Sequence, residues 1–147
     1  MRIVNPEELL SPPSFGPDSL RLRTGGSVSV PGVIRQEMQS GWAGLEFLCG
    51  IPGLMGGAVV LNAGTHLGEA KDRCLRVETI DLAGPEAGRT RVFEGAKLRF
   101  QYRGNLFVPK TALIWSVDWR IDRQPIEAVR QVLTDSLNRR KETQPHE

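Results

Sequence analysis

From Lys110 to Ile121 the chain reads "KTALIWSVDWRI", in which apolar and polar positions alternate. Leu113, Trp115, Val117 and Trp119 fall on one face of an extended strand, and Ser116 and Asp118 on the other. Two shorter stretches share the pattern. "SLRLRT" alternates from Ser19, and "LRVETIDLA" places Val77, Ile80 and Leu82 as its apolar positions. "GPEAG" then reads as a turn and "RTRVFEG" as the partner strand of a hairpin. Helical spacing appears twice. A helix around Val30 to Ser40 has Pro31 in its first turn, Val33, Ile34 and Met38 on one face, and Gly41 at its exit. Pro125 opens a second, with Ile126, Val129, Leu133 and Leu137 as its apolar stripe and Arg139, Arg140 and Lys141 at its C-terminal end. "GEAKDRC" suggests one further helical turn. This order predicts an α+β fold: a small, mainly antiparallel sheet flanked by helices, with the last helix packed on the sheet.

The first 19 residues break the pattern, since "PPSFGP" at Pro12 to Pro17 suits neither helix nor central strand. The reading therefore divides the chain into an irregular segment 1–19, a folded body 20–124 and a helix with a linker at 125–147. The chain's 147 residues suffice for one core, and 39% apolar with 24% charged residues is ordinary for a folded protein. A net charge of +2 with scattered basic residues leaves no footprint for nucleic acid. No apolar run is long enough to span a membrane, and the N-terminus has no signal-peptide core. Cys49 and Cys74 form no CxxC pair, fit a reducing cytoplasm and read as small core residues. His66 and His146 have no ligand spacing, so no metal site is expected.

Two stretches carry candidate chemistry. "GLEFLCGIPGLMGGAVVLNAG", Gly44 to Gly64, holds six glycines. Glycine weakens regular structure by roughly 0.5–1 kcal/mol relative to alanine, so this density needs a reason. A glycine-rich turn feeding a short apolar element exposes backbone N–H groups at a helix N-terminus, which suits a phosphate or the polar edge of a cofactor. It is neither GxGxxG nor a P-loop. A tightly packed turn, where small residues let two backbones touch, explains it equally well. The second stretch, "LRFQYRGNLF", sets Tyr102 and Arg103 before a polar turn. An arginine there can fork onto a carboxylate or enolate, or can simply stack on its tyrosine at the surface.

Taken together, "GLEFLCGIPGLMGGAVVLNAGTHLGE", "FQYR" and "RRKETQP" resemble, in order and spacing, the UDP-N-acetylenolpyruvoylglucosamine reductase (MurB) family, over roughly Leu20 to Pro145. The resemblance implies the second subdomain of a MurB-type FAD-binding domain. It implies FAD as cofactor, NADPH as reductant and a UDP-sugar substrate whose enolpyruvyl ether is reduced to UDP-N-acetylmuramate for peptidoglycan. Arg103 matches the family's catalytic arginine. Gly50, Ile51, Pro52, Gly53, Gly56, Gly57, Ala58, Asn62, Ala63 and Gly64 match the segments along the flavin, where backbone without Cβ can approach a planar ring. Tyr102 and His66 are the substrate-side candidates.

The resemblance also implies parts this chain is not seen to carry: an upstream G-x-G-S-N loop for the pyrophosphate, and a downstream G-S-x-F-K-N segment with the proton-donating serine. Gln101 stands where the family often has glycine, and His66 where some members have tyrosine. Three readings stay open: a piece of a longer enzyme, a short protein completed by a second chain, or a non-catalytic flavin-fold remnant acting as an interaction module. With half of the implied site not seen here, the isolated chain is expected to bind FAD weakly or not at all. A subdomain without its neighbours should also leave apolar surface, with self-association or disorder over Met1 to Ser19 as the consequence.

Overall fold

The computed structural model describes residues 17–143. Nearly all of the N-terminal segment, and with it the disorder expected there, lies outside these residues. In chain order the elements are β1 (Ser19–Gly25), α1 (Val30–Ser40), β2 (Trp42–Ala43), α2 (Met55–Val60), β3 (Gly64–Thr65), β4 (Gly68–Glu69), β5 (Cys74–Asp81), β6 (Thr90–Glu94), β7 (Phe100–Gln101), β8 (Gly104–Asn105), β9 (Ala112–Arg123) and α3 (Ile126–Thr143). The main sheet runs β1-β9-β5-β6, with β2 added at the end of β9. Its pairings are all antiparallel, as the alternation predicts. The hairpin β5–β6 closes over the Gly84–Gly88 turn.

α1 forms where expected because both ends are specified. The Ser29 hydroxyl accepts the Gly32 N–H at 3.2 Å, Pro31 sits in the first turn, and Gly41 takes φ 73 to end the helix. Its buried face is Val30, Val33 and Ile34, with the Glu37 carboxyl buried beside them. The three apolar residues pack with Leu45, Phe47 and Leu48 of the following loop, Met55 and Val59 of α2, and the inner face of the sheet, Val77, Val117, Trp119 and Ile121. The buried Trp119 indole donates to the Thr24 hydroxyl at 3.0 Å, so its one polar atom is satisfied inside the core.

Two expectations change. The apolar positions of β9 do not share one face: Val117 and Trp119 are buried, but Leu113 is exposed and Trp115 is 58% exposed. The register shows why. Glu78 pairs with Ser116 and Thr79 with Ile114, which leaves Trp115 as an extra residue in a β-bulge. One extra residue reverses the alternation, so Ile114 takes the core position and Leu113 and Trp115 turn to the outer face. Ser116 and Asp118 are on that outer face as predicted. Asp118 is nevertheless fully buried, under Arg23 (2.7 and 3.0 Å) and Arg21 (3.3 Å).

The last helix also docks elsewhere than expected. α3 lies on α1 and the Cys49 loop instead of on the sheet. Arg130 donates to the Met38 carbonyl at 3.2 Å, and the Cys49 thiol contacts the Leu133 carbonyl at 3.6 Å. Its buried stripe is Val129, Leu133 and Ser136, while Ile126 and Leu137 are half-exposed at the margins. α2 packs on β9 and β1, and α1 meets β2 and offers its other side to α3. Both cysteines are buried and free, as read from the sequence.

Candidate active-site cleft

The Gly44–Gly64 segment folds as a loop with one turn of 3-10 helix, then α2, then the tight β3–β4 hairpin. The "FQYR" stretch folds as a second small hairpin, β7–β8, with Tyr102 and Arg103 at its tip. Phe107, just past β8, lies 5.1 Å from the Phe100 ring and 5.3 Å from Phe93 of β6, so the hairpin base is seated on an aromatic cluster. Between the two segments is a cleft of about 400 Å³. It is lined by Ile51, Leu61, Asn62, Ala63, Gly64 and Thr65 on one side and Tyr102 and Arg103 on the other, with Glu69 at its edge.

Arg103 holds φ 51, a left-handed conformation that bulky residues adopt only at a cost of roughly 1–2 kcal/mol. Its guanidinium stands 5.3 Å from the Tyr102 ring centre, and the Tyr102 side chain is 79% exposed. Among the described residues no carboxylate pairs with Arg103. A cation held at a strained turn, stacked on an aromatic face and left unpaired, is available to an anionic ligand.

The structure brings four of the ten predicted cofactor-side residues to one surface. Ile51, Asn62, Ala63 and Gly64 line the cleft, while Gly50, at φ 75, lines an apolar groove between α1 and α3, with the Arg140 side chain lying across its backbone. A Cβ on Gly50 would sit 2.7 Å from Arg140 Cδ. Pro52 lines the same apolar groove. Gly56 and Ala58 are buried, with Gly56 pressed on Gly26 so closely that its Cβ would meet the Gly26 carbonyl at 3.0 Å. Gly53 and Gly57 face open space. The expected row of free N–H groups is partly consumed, because the Met55 and Gly56 N–H groups donate to the Val28 and Gly26 carbonyls at 2.9 Å. α2 is thus anchored at its start by close packing, the blander of the two explanations for its glycines.

His66 lies away from Arg103, in an adjoining cleft of about 350 Å³ that shares Ile51, Gly64 and Thr65 with the first. Across from it α3 presents Ser136, Arg139, Arg140 and Thr143. The sequence marked Arg139 and Arg140 as helix-end charges. α3 continues to Thr143, which places them one turn inside, facing the cleft. Their spacing with Ser136 and Thr143 along one helical face was the signal that could have found them. Neither arginine is paired with a carboxylate among the described residues. The two clefts thus adjoin at Ile51, Gly64 and Thr65, with Arg103 lining one and Arg139 and Arg140 the other. Among the described residues no His, Cys, Asp and Glu cluster could hold a metal, and no helix is long and apolar enough to cross a membrane.

No family model matches the chain. Individual proteins do. It is 34% identical over 130 residues to the UDP-N-acetylenolpyruvoylglucosamine reductase of Heliobacterium modesticaldum, covering 88% of this chain and 40% of that protein. The reductase of Rickettsia akari is 39% identical over 103 residues, covering 70% of this chain and 33% of its own length. Among solved structures, UDP-N-acetylenolpyruvylglucosamine reductase (MurB) from Thermus caldophilus superposes with a TM-score of 0.73 at 30% identity, over 84% of this chain and 44% of that one. The chain thus spans between 33% and 44% of the length of these relatives. Over the stretch it shares with them, the chain is similar in sequence and in fold to the UDP-N-acetylenolpyruvoylglucosamine reductases.

Proposed function

We propose that this chain forms the cofactor-side and substrate-side wall of a UDP-N-acetylenolpyruvoylglucosamine reductase that uses FAD and NADPH to make UDP-N-acetylmuramate. Polypeptide outside the shared stretch, in the same or a second chain, completes the centre. The observation that carries this reading is Arg103: an unpaired cation held at φ 51 on the lip of a cleft whose other wall is the glycine segment. The residues present suit a flavin. Leu54, Val60 and Leu61 are exposed apolar side chains on the same segment, and Gly53 and Gly57 have open space where a side chain would project. When bound, FAD supplies hydride transfer. Ile51, Ala63 and Gly64 would form the wall beside it, and the isolated chain, with one wall only, should hold FAD weakly or not at all.

Arg103 faces the substrate carboxylate. Hydride addition to the terminal vinyl carbon leaves negative charge on the carbon beside the carboxylate, shared enolate-fashion with that group, and a fixed guanidinium fork meets the charge as it grows. Arg139, Arg140 and His66 line the adjoining cleft and suit the anionic remainder of a nucleotide sugar.

The test is a chimaera in which this chain replaces the matching stretch of the Heliobacterium modesticaldum reductase. Turnover of the enolpyruvyl substrate is expected. Arg103→Ala in that chimaera should slow flavin reoxidation by the substrate by about a hundred- to a thousandfold, with flavin reduction by NADPH nearly unchanged. A flavin-loaded chimaera that shows no turnover, or an Arg103→Ala variant that slows both half-reactions equally, would refute the assignment.

A further inference from the structure

We propose that Asn62, with Asn105 as its second, is a positioning residue that ties the Arg103 hairpin to the cofactor-side segment. This assigns its amide to holding the hairpin, where the motif resemblance alone had suggested a cofactor contact. The inference rests on Arg103 being the working cation of the cleft.

Asn62 is 4% exposed and holds φ 44, in the left-handed region. Its amide is fully engaged. Nδ2 donates to the Gln101 carbonyl at 3.1 Å and to Glu69 Oε2 at 3.3 Å, and Oδ1 accepts the Lys71 N–H at 3.0 Å. One side chain therefore joins the end of α2, the β4 strand and the turn after it, and the β7 strand whose next two residues are Tyr102 and Arg103. Asn105 makes the reciprocal link from the hairpin's other strand. Its Nδ2 donates to the Val60 carbonyl at 3.0 Å, while its Oδ1 accepts the Phe107 and Val108 N–H groups at 3.1 and 2.7 Å. Both strands of the hairpin are thus fastened to the C-terminal end of α2 by asparagine amides. The hairpin has only two residues per strand, and so short a ladder cannot by itself hold an arginine in a left-handed turn.

The left-handed φ of Asn62 separates two explanations. If only that backbone conformation mattered, glycine would serve as well. If the amide is the tether, glycine keeps the turn and loses the hairpin.

The test uses the full chain in solution. Its single tyrosine makes the Tyr102 ring signals unambiguous by NMR. In Asn62→Gly the Tyr102 ring resonances should move toward free-peptide values as the stack with Arg103 loosens. Exchange of the Leu106 N–H, which closes the hairpin onto the Arg99 carbonyl at 2.8 Å, should quicken about tenfold. Exchange at Val77 and Val117 in the core strands should change less than twofold. Asn62→Asp keeps an acceptor for Lys71 but cannot donate while ionised; its hairpin should be loose at pH 7 and tighten as the carboxyl gains a proton. Unchanged Tyr102 and Leu106 signals in Asn62→Gly, or loosening of the core strands by the same factor, would overturn the proposal. If Asn62→Gly does not fold, Asn62→Asp decides, and a hairpin insensitive to pH in that variant overturns it. This outcome is independent of the chimaera's activity: the tether can fail with Arg103 still catalytic, and Arg103 can prove inert with the tether intact.

Discussion

Glu37 offers the sharpest test of the packing between α1 and the loop that follows it. It lies on the buried face of α1 at 3% exposure, where one carboxyl oxygen accepts the Leu45 N–H at 2.9 Å. The other oxygen has no hydrogen-bond partner among the described residues. Burial first, and the nearby Glu46 charge second, push its pKa from 4.5 up to about 8, against the smaller opposing effects of the Leu45 and Gly44 N–H groups and Arg73. Between those two pH values the folded chain keeps a proton on Glu37 that the unfolded chain has released. Stability therefore falls as pH rises through that window and levels off above it. At about 1.4 kcal/mol per pH unit the interval amounts to about 5 kcal/mol, a large part of the roughly 5–15 kcal/mol that stabilises a typical domain. Glu37→Gln keeps the acceptor for Leu45 and removes the titration. Urea unfolding followed by circular dichroism should place the two proteins within about 1 kcal/mol of each other at pH 5. By pH 9 the Glu37→Gln protein should be the more stable by several kcal/mol. Unfolding curves that stay parallel from pH 5 to pH 9 would show that Glu37 is ionised and paired in the folded state, and the reasoning would fail.

Three further outcomes follow from the same structure. Arg103→Gly removes a left-handed arginine from a turn and should raise the stability of this chain by about 0.5–1 kcal/mol in chemical denaturation, since relief of strain exceeds the added freedom of the unfolded chain; a loss of stability would mean that the turn is not strained. Gly26→Ala would place a Cβ 2.0 Å from the Ile114 carbonyl at the bulge, and should cost about 3 kcal/mol or more because backbone must move; a thermal midpoint within 2 °C or so of the parent contradicts that packing. Cys49 and Cys74 are buried, and burial pushes both thiols up, Cys74 to about 12; a thiol reagent at pH 8 should label them only as fast as the chain opens, and immediate labelling would place them at the surface.

Elements whose signals are local were legible in the sequence. α1 carries its own cap, proline and terminal glycine, and β5–β6 carries its own turn, so both stand where the pattern set them. The phase of β9 was not legible, because a bulge is a property of two strands and Trp115 looks like any other apolar position until Thr79 and Glu78 are set beside it. Glu37 was equally silent: a carboxylate between Gln36 and Met38 carries no local mark of burial, and only the approach of the Gly44–Leu45 turn buries it. The cleft was half legible. Glycine density and the Tyr102–Arg103 pair marked its two walls. What joins the walls, the amides of Asn62 and Asn105, depends on contacts 39 and 45 residues apart in sequence that no local pattern encodes.

The bulge in β9 has an optical consequence. It separates two tryptophans four residues apart: Trp119 goes into the core, and Trp115 onto the open face of the sheet. Trp42 occupies a third setting, half-buried with the Arg123 guanidinium 5.5 Å from its ring centre. A regular strand would have put Trp115 and Trp119 in the same medium and blurred their emission. Here the red edge of the fluorescence spectrum belongs to Trp115 and the blue edge to Trp119. Quenching by a dissolved anion then reports the outer sheet face, and loss of the blue component reports unfolding, from one unlabelled sample.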